Sequence, residues 1–393
     1  MTESGDLYNY PRRLEKNKEA LAKMKNGQTA LAFLDHELVL GLSVARVSKY
    51  SAHLRTLLRQ IDFNLKKATR QNIEEVVAWI ATKEYKEWTK HDLKLTLKKL
   101  VQYAKLKDCS KDTPMPPEVA WIPLAVKNQI TVKPEDLLGT EEVELILRNA
   151  KNIRDYAMLS LIFEGALRPS ELLTMKIASV EFKEDYCLIS VNGKTGLKRL
   201  PIVFTYPPLL RWIEQHPYRA NSDAPLWVSR ATNGECKQLH YASFRELVKN
   251  TAKNAGITKR VWPYLYRHTY LTTLAKRFTE AQLKQYAGWT QASKMASRYV
   301  HFSCRDIEET VLEMHGLKPA QNGNGLPQLK LCPRCQTRNE PSATVCNFCG
   351  LILDQETALK KMREEEQKEQ EILKRVENVE KLLSSLVAPK PPA

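Results

Sequence analysis

No stretch of the chain approaches the roughly 18 uninterrupted apolar residues that a spanning helix needs, and no internal repeat is present. The first residues, Met-Thr-Glu-Ser-Gly-Asp-Leu-Tyr, lack the basic and apolar regions of a secretory leader. The expected location is therefore the cytoplasm, in association with the nucleoid. Acidic balance is missing as well: 45 Asp and Glu face 61 Lys and Arg, for a net charge of +16. No basic amphipathic helix with an aromatic face accompanies that excess, which argues against a membrane surface as its target. Between Asp354 and Ala393, nine acidic and eight basic side chains net −1, leaving +17 on the residues before them. An excess of that size is the footprint of a polyanion partner, and nucleic acid is the expected one.

With 393 residues and 43% hydrophobic content, the chain can fill two or three domains. Residues 1–27 are polar and lysine-rich and read as a basic extension, one helix closed by Gly27. From 28 to 108, apolar residues recur at helical spacing. Leu54, Leu57, Leu58 and Ile61 form one stripe, Ile73, Val76, Val77 and Ile80 a second, and Leu93, Leu97, Leu100 and Val101 a third. Thr69 and Thr89 suit N-caps, and Lys94, Lys98 and Lys99 fill the outward faces of a small helical bundle. Residues 109–138, with Pro114, Pro116 and Pro117, read as a linker.

A second, larger domain is expected over 139–317, with helices near 140–151, 154–165, 170–176, 243–255, 264–277, 280–287, 292–300 and 305–315. Between them the period changes to two, over Tyr186–Val191 and Lys198–Val203, with a glycine-bounded turn that marks a β-hairpin. The fold class is mainly α with a small β-hairpin or sheet. A flexible tether over 318–330 then leads to a cysteine module over 331–353 and a charged helix over 354–393.

Four islands of the larger domain carry chemistry: Gly-Ala-Leu-Arg168-Pro-Ser-Glu171, Asn-Gly-Lys194-Thr-Gly, Tyr264-Leu-Tyr-Arg267-His268, and Ala-Gly-Trp289 followed by Arg-Tyr299-Val-His301. Guanidinium forks such as those of Arg168 and Arg267 bind nonbridging phosphate oxygens bidentately. A lysine can protonate a leaving alkoxide, and a tyrosine can be a nucleophile that holds the cut end covalently. The Trp289 indole donates a hydrogen bond without transferring a proton. Together these groups suit phosphodiester cleavage without a metal.

In this order the islands resemble the tyrosine recombinases of the phage-integrase family, and more narrowly the archaeal integrases, over about residues 28–316. The resemblance implies a helical core-binding domain followed by a catalytic domain. Arg168 and Arg267 match the two catalytic arginines, and Tyr299, ten residues beyond Trp289, matches the nucleophile. Trp289 stands in the place of the third-motif histidine. Lys194, directly after the first turn glycine, matches the general acid, with Lys198 as its competitor. Glu171 is expected to orient the site. Tyr264 departs from the family, which has histidine there; a phenol with a pKa of about 10 is a poor base at neutral pH, though its hydroxyl can still bind the scissile phosphate. His301 is left open, and His268 is expected to point away from the site. The implied activity is site-specific integration or excision of a mobile element, through a 3′-phosphotyrosyl link, by a homo-tetramer on double-stranded attachment sites. A resolver of chromosome dimers, a type IB topoisomerase and a non-catalytic DNA-binding regulator are the rival readings.

Cys332-Pro-Arg-Cys335 and Cys346-Asn-Phe-Cys349 are two knuckles whose spacing suits four thiolates around one structural Zn²⁺, resembling a zinc ribbon. Cys109, Cys187, Cys236 and Cys304 are expected to be reduced and structural. In the tail, Ile372, Val376, Val379, Leu383 and Leu386 keep coiled-coil spacing for about two heptads, which suits a partner for the C-terminal helix.

Overall fold

The structure, a computed structural model, describes residues 7–126, 132–193, 196–229, 236–302 and 329–387. It divides into two compact units, residues 1–131 and 132–393.

The first unit is helical: α1 (Tyr10–Ala22), α2 (Gly27–Val39), α3 (Val44–Leu57), α4 (Arg70–Thr82), α5 (Glu87–Leu106) and the short α6 (Pro117–Ala120). The three apolar stripes meet in one core, where Leu54, Leu57, Ile73, Ile80, Leu97 and Leu100 are fully buried. Thr69 caps α4, accepting from Asn72 N at 3.3 Å while Asn72 Oδ1 accepts from Thr69 N at 3.1 Å. α5 starts at Glu87, a turn before the expected cap Thr89, with Lys86 at its N-cap.

Three expectations change here. The basic extension belongs to the bundle, because α1 buries Leu14 and Leu21 in the same core. Gly27 opens α2 rather than closing α1; a Cβ there would lie 2.0 Å from the Leu21 carbonyl oxygen, so only glycine lets the two helices approach this closely. The supposed linker also packs inward at its start, with Cys109, Val119 and Ile122 buried. Two of the three lysines assigned to solvent are tied down by this packing. Lys98 donates to the Ala120 and Ile122 carbonyls at 3.0 and 3.3 Å, and Lys99 pairs with the buried Glu37 at 2.8 Å.

The second unit begins with α7 (Thr140–Arg148), α8 (Ile153–Glu164) and α9 (Pro169–Leu173). An antiparallel sheet follows, β1 (Val180–Phe182), β2 (Cys187–Gly193) and β3 (Gly196–Ile202), in that spatial order, with Gly193 opposite Gly196. Then come α10 (Tyr206–Glu214), α11 (Tyr241–Asn254), α12 (Pro263–Ala275), α13 (Glu280–Ala287) and α14 (Met295–Phe302). Two-residue strands β4 (Lys330–Leu331) and β5 (Arg338–Asn339) precede the long helix α15 (Gln355–Val387).

Neither β1 nor α10 was expected; α10 opens on Tyr-Pro-Pro and is too short to show a sustained period. The fully buried Glu164 at the end of α8 fastens this part by accepting from the Val203, Phe204 and Thr205 amides at 2.6, 3.1 and 2.9 Å. The helix expected over 305–315, with Cys304, lies outside the described residues. Among the described residues no helix is long and apolar enough to cross a membrane.

Because α1 is core, Leu21→Ala should destabilise the first unit by about 2–5 kcal/mol. Denaturant unfolding of the full chain reads this directly, and an unchanged midpoint would return residues 1–27 to the status of an appendage.

Candidate active site and metal centre

Four elements converge on one carboxylate. Glu171, on the first turn of α9 and only 2% exposed, accepts from the Arg168 backbone N–H at 2.9 Å and pairs with the Arg168 guanidinium. The oxygen that accepts from the N–H, Oε2, also lies 3.1 Å from Lys198 Nζ of β3 and 3.9 Å from the Arg267 guanidinium of α12. Burial alone would raise the Glu171 pKa, but Lys198, the Arg168 N–H and the two arginines outweigh it and hold the group below the carboxylate range. The hairpin end is part of this arrangement. A Cβ on Gly193 would sit 2.6 Å from Glu171 Oε1 and 3.5 Å from Arg168 Nη1, so glycine is what lets β2 end against the carboxylate.

Arg267, 3% exposed, is held by carbonyls from both sides: Nη2 donates to Ala287 O at 2.6 Å, and Nη1 donates to Ala166 O at 2.5 Å. Ala166 adopts φ 44°, a left-handed conformation that costs an alanine about 1–2 kcal/mol, and it lies between α8 and Arg168. Burial first and Arg168 second lower the Arg267 pKa to about 10. Burial likewise lowers Lys198 to about 8, although Glu171 opposes the shift. Its Nζ is an ion-pair partner of Glu171 that lies off the hydrogen-bond direction. Three cations, Arg267 buried and Arg168 and Lys198 half-buried, thus face one carboxylate, a local charge of +2, and this excess is suited to an anion.

Tyr299, on α14 and 3% exposed, lies against this group. Its ring stacks on Trp289 at 5.4 Å and on His268 at 5.9 Å, and its hydroxyl is 2.8 Å from His268 Nδ1. Burial raises the Tyr299 pKa, while Arg267, Arg298 and Arg168 oppose the rise. The Trp289 ring also lies 5.6 Å from the Arg267 guanidinium carbon. Trp289 lies just past a helix end. Gly288, at φ 65°, closes α13, and the Trp289 N–H donates to Lys284 O at 2.9 Å.

The structure therefore brings together Arg168, Arg267, Trp289 and Tyr299. Tyr264 occupies the rim, 40% exposed, with its ring 6.4 Å from that of His268. Lys194 and the side chain of His301 lie outside the described residues. Two groups that sequence reasoning discounted are inside. Lys198 faces inward because it lies opposite the buried Val191 in the β2–β3 register. The expectation that His268 points away is wrong. The α12 helix carries it toward α14, and the adjacency to Arg267 that counted against it is overridden because both side chains reach Tyr299 from the same turn.

The four cysteines of the two knuckles also converge. Their sulfurs all lie within 4.8 Å of one another, as four-thiolate coordination of one ion requires. Each knuckle turns on a left-handed residue, Gln336 in the first and Gly350 in the second, whose N–H groups donate to Cys332 O at 2.9 Å and Cys346 O at 3.0 Å. The module does not hang free of the larger domain. Arg211 of α10 reaches Glu340 at 2.6 Å and Asn347 at 3.2 Å, Tyr156 of α8 bonds Ser342 at 2.5 Å, and Arg338 pairs with Asp185.

Residues 137–305 match the model of the phage integrase family. A tyrosine recombinase of Synechococcus elongatus is 33% identical over 128 residues, spanning 32% of this chain and 39% of that protein. The tyrosine recombinase XerA of Pyrococcus horikoshii is 32% identical over 150 residues, 38% of this chain and 50% of the relative. XerD of Vibrio cholerae is 22% identical over 70% of this chain and 91% of its own. The chain thus spans half or less of the first two relatives. Among solved structures, XerH bound to a palindromic difH substrate superposes with TM-score 0.53 at 17% identity, covering 79% of this chain and 96% of that one. A lambda integrase dimer bound to a core site superposes at 0.52 and 15%, covering 75% and 78%. The mainly helical fold is that of these recombinases, and residues 137–305 are similar to the phage integrase family.

Glu171→Gln keeps the shape and removes the charge that opposes three cations, so it should destabilise the second unit by about 3–5 kcal/mol at neutral pH. The folded-state pKa of Glu171 is depressed, so its contribution is complete above the unfolded value and is lost as pH falls through the folded one. The difference between wild type and Glu171→Gln in urea unfolding should therefore shrink toward acid pH. A difference that stays constant with pH would contradict the charge-based account.

Proposed function

We propose that the chain is a site-specific DNA recombinase that breaks and rejoins strands through a 3′-phosphotyrosyl intermediate. The observation that carries the reading is the Tyr299 hydroxyl lodged beside a net +2 group built from Arg168, Arg267, Lys198 and the buried Glu171. A phosphodiester carries one negative charge and gains a second as an oxyanion attacks it. A fixed charge of +2 therefore complements the transition state better than the ground state.

In this mechanism Tyr299 Oη attacks phosphorus, and Arg168 and Arg267 hold the nonbridging oxygens. Trp289 supplies a neutral donor and a stacking wall, and Tyr264 donates to the phosphate from the rim. Lys194 protonates the leaving 5′ oxygen, while Lys198 holds the hairpin to Glu171. The bond energy is kept in the tyrosyl link, so no nucleotide is consumed when a partner strand's 5′-hydroxyl resolves it. The proposed partner is double-stranded DNA at specific attachment sites, engaged by a homo-tetramer, and the proposed role is integration or excision of a mobile element. The excess of basic residues ahead of the tail supports the DNA partner. A chromosome-dimer resolver would use the same residues, and an attachment site at the boundary of an integrated element separates the two.

Cys332, Cys335, Cys346 and Cys349 are proposed to hold one structural Zn²⁺, whose binding would supply most of the folding energy of so small a module. Its contacts with α8 and α10 imply that metal loss also weakens the larger domain. The exposed apolar stripe of α15, with Ile372, Val376 and Val379, is the proposed contact for a partner chain.

Tyr299→Phe removes only the attacking oxygen, so binding to attachment-site DNA should persist while the covalent adduct on a suicide duplex disappears. An adduct that survives the substitution would remove Tyr299 as nucleophile. Protein purified under reducing conditions should carry one zinc per chain by elemental analysis, and Cys332→Ser should lose it and lower the melting temperature of the second unit. Metal-free wild-type protein with an unchanged melting temperature would contradict the metal assignment.

A further inference from the structure

Attack by Tyr299 requires its hydroxyl proton to go somewhere, and in this chain the family's histidine position near the second arginine is Tyr264. We infer that His268 is a catalytic residue whose Nδ1 takes the Tyr299 proton as the phosphotyrosyl bond forms and returns it when that bond is resolved. The inference rests on Tyr299 being the nucleophile, as proposed above.

Geometry selects His268 among the titratable groups nearby. Its Nδ1 lies 2.8 Å from the Tyr299 hydroxyl. The phenol is much the stronger acid of the two, so its O–H donates and the imidazole lone pair accepts. Tyr299 is buried between the Trp289 and His268 rings, which keeps bulk water from serving as the acceptor. Glu171 is engaged by Arg168 and Lys198, and Tyr264 is another phenol, exposed at the rim.

The charged and titratable groups facing His268 are Tyr299 and Arg298 from α14 and Arg267 and Tyr264 from α12. Burial first, then Arg267 and Arg298, lower the His268 pKa to about 4, so the ring is neutral and free to accept at physiological pH. A bound phosphate would cancel part of the Arg267 field and make the imidazole more basic. The base is then weak in the free protein and stronger once DNA occupies the cage, which limits ionisation of Tyr299 without substrate.

The step balances. The Tyr299 Oη–P bond forms and the P–O5′ bond breaks. The tyrosine proton moves to His268, and the 5′ oxygen leaves with a proton from the general acid. In the second half the partner strand's 5′-hydroxyl attacks and passes its proton to the conjugate base of the general acid; the P–O5′ bond forms, the Oη–P bond breaks, and His268 gives its proton back to Tyr299.

His268→Asn tests this, because its Oδ1 falls near the position of Nδ1 and accepts the same hydrogen bond but cannot hold the proton. The readout is the single-turnover rate of adduct formation by full-length protein on a suicide attachment-site duplex across pH. In wild type the rate should rise with pH through the imidazole titration and then level off, since only the neutral ring can accept. In His268→Asn the rate at neutral pH should fall by about 10²–10⁴, the usual contribution of a general base, and should keep climbing with pH toward ionisation of Tyr299 itself. An unchanged rate, or a slower rate with the wild-type pH profile, overturns the inference and leaves His268 as a positioning residue. If His268→Asn fails to fold, as judged by its melting temperature, His268→Gln is read in the same way. A Tyr299→Phe protein that still forms the adduct identifies a failure of the nucleophile assignment rather than of the base.

Discussion

The buried carboxylate of Glu171 is the constraint on which the site depends. Arg168, Lys198 and Arg267 come from three separate elements, and without Glu171 their charges would face one another with no carboxylate between them. Their mutual repulsion is answered by a single charge, so the cluster is under-neutralised by design of its composition. Buried ionic groups of this kind contribute little net stability and a good deal of specificity. Here that specificity has a geometric expression. Gly193 gives up its side chain so that the β2 end can touch the carboxylate, and Ala166 takes a left-handed conformation beside Arg168 so that its carbonyl can grip Arg267. Both features hold cations in fixed directions before any ligand arrives, which is where electrostatic stabilisation of a transition state gains most over solvent.

The second constraint is the sequestration of Tyr299. A phenol stacked between an indole and an imidazole, with its hydroxyl already bonded, is neither mobile nor solvated. Its acidity depends on what the neighbouring guanidiniums are doing, and those are the groups an incoming phosphate would engage. On the proposed reading, occupation of the cage and activation of Tyr299 are coupled through Arg267, whose charge acts on the Tyr299 hydroxyl. The cysteine module adds a further linkage, since Arg211 and Tyr156 connect it to α10 and α8, and Glu164 at the end of α8 anchors the segment that begins α10.

Much of this was legible in the sequence where a residue's type and spacing alone determine its role. Arg168, Arg267, Trp289 and Tyr299 sit in short islands whose order is informative, and the hairpin is announced by a period of two ending at glycine. The apolar stripes of α3, α4 and α5 follow from helical periodicity. What could not be read depends on contacts distant in sequence. His268 was expected to point away from the site because only the arrival of α14 gives it a partner. Lys198 ranked second to Lys194 because its inward place is set by the strand register and by α9. Gly27 read as a helix stop, yet its role is to admit the Leu21 carbonyl. The short α10, rich in proline at its start, carries too little periodicity to be seen, and its importance comes from the Glu164 carboxylate forty residues earlier. Lys98 and Lys99 follow the same pattern, since their buried partners lie on other segments.

The central claim is that a pre-assembled cationic cage directs Tyr299 alone to phosphorus. Its most direct test is peptide mapping by mass spectrometry of the adduct trapped on a nicked suicide duplex in the presence of a strong chelator. The account predicts a nucleotide joined through its 3′-phosphate to the peptide that contains Tyr299, in undiminished yield with chelator. Attachment to the peptide containing Tyr264, linkage through a 5′-phosphate, or an adduct that requires added metal would contradict it.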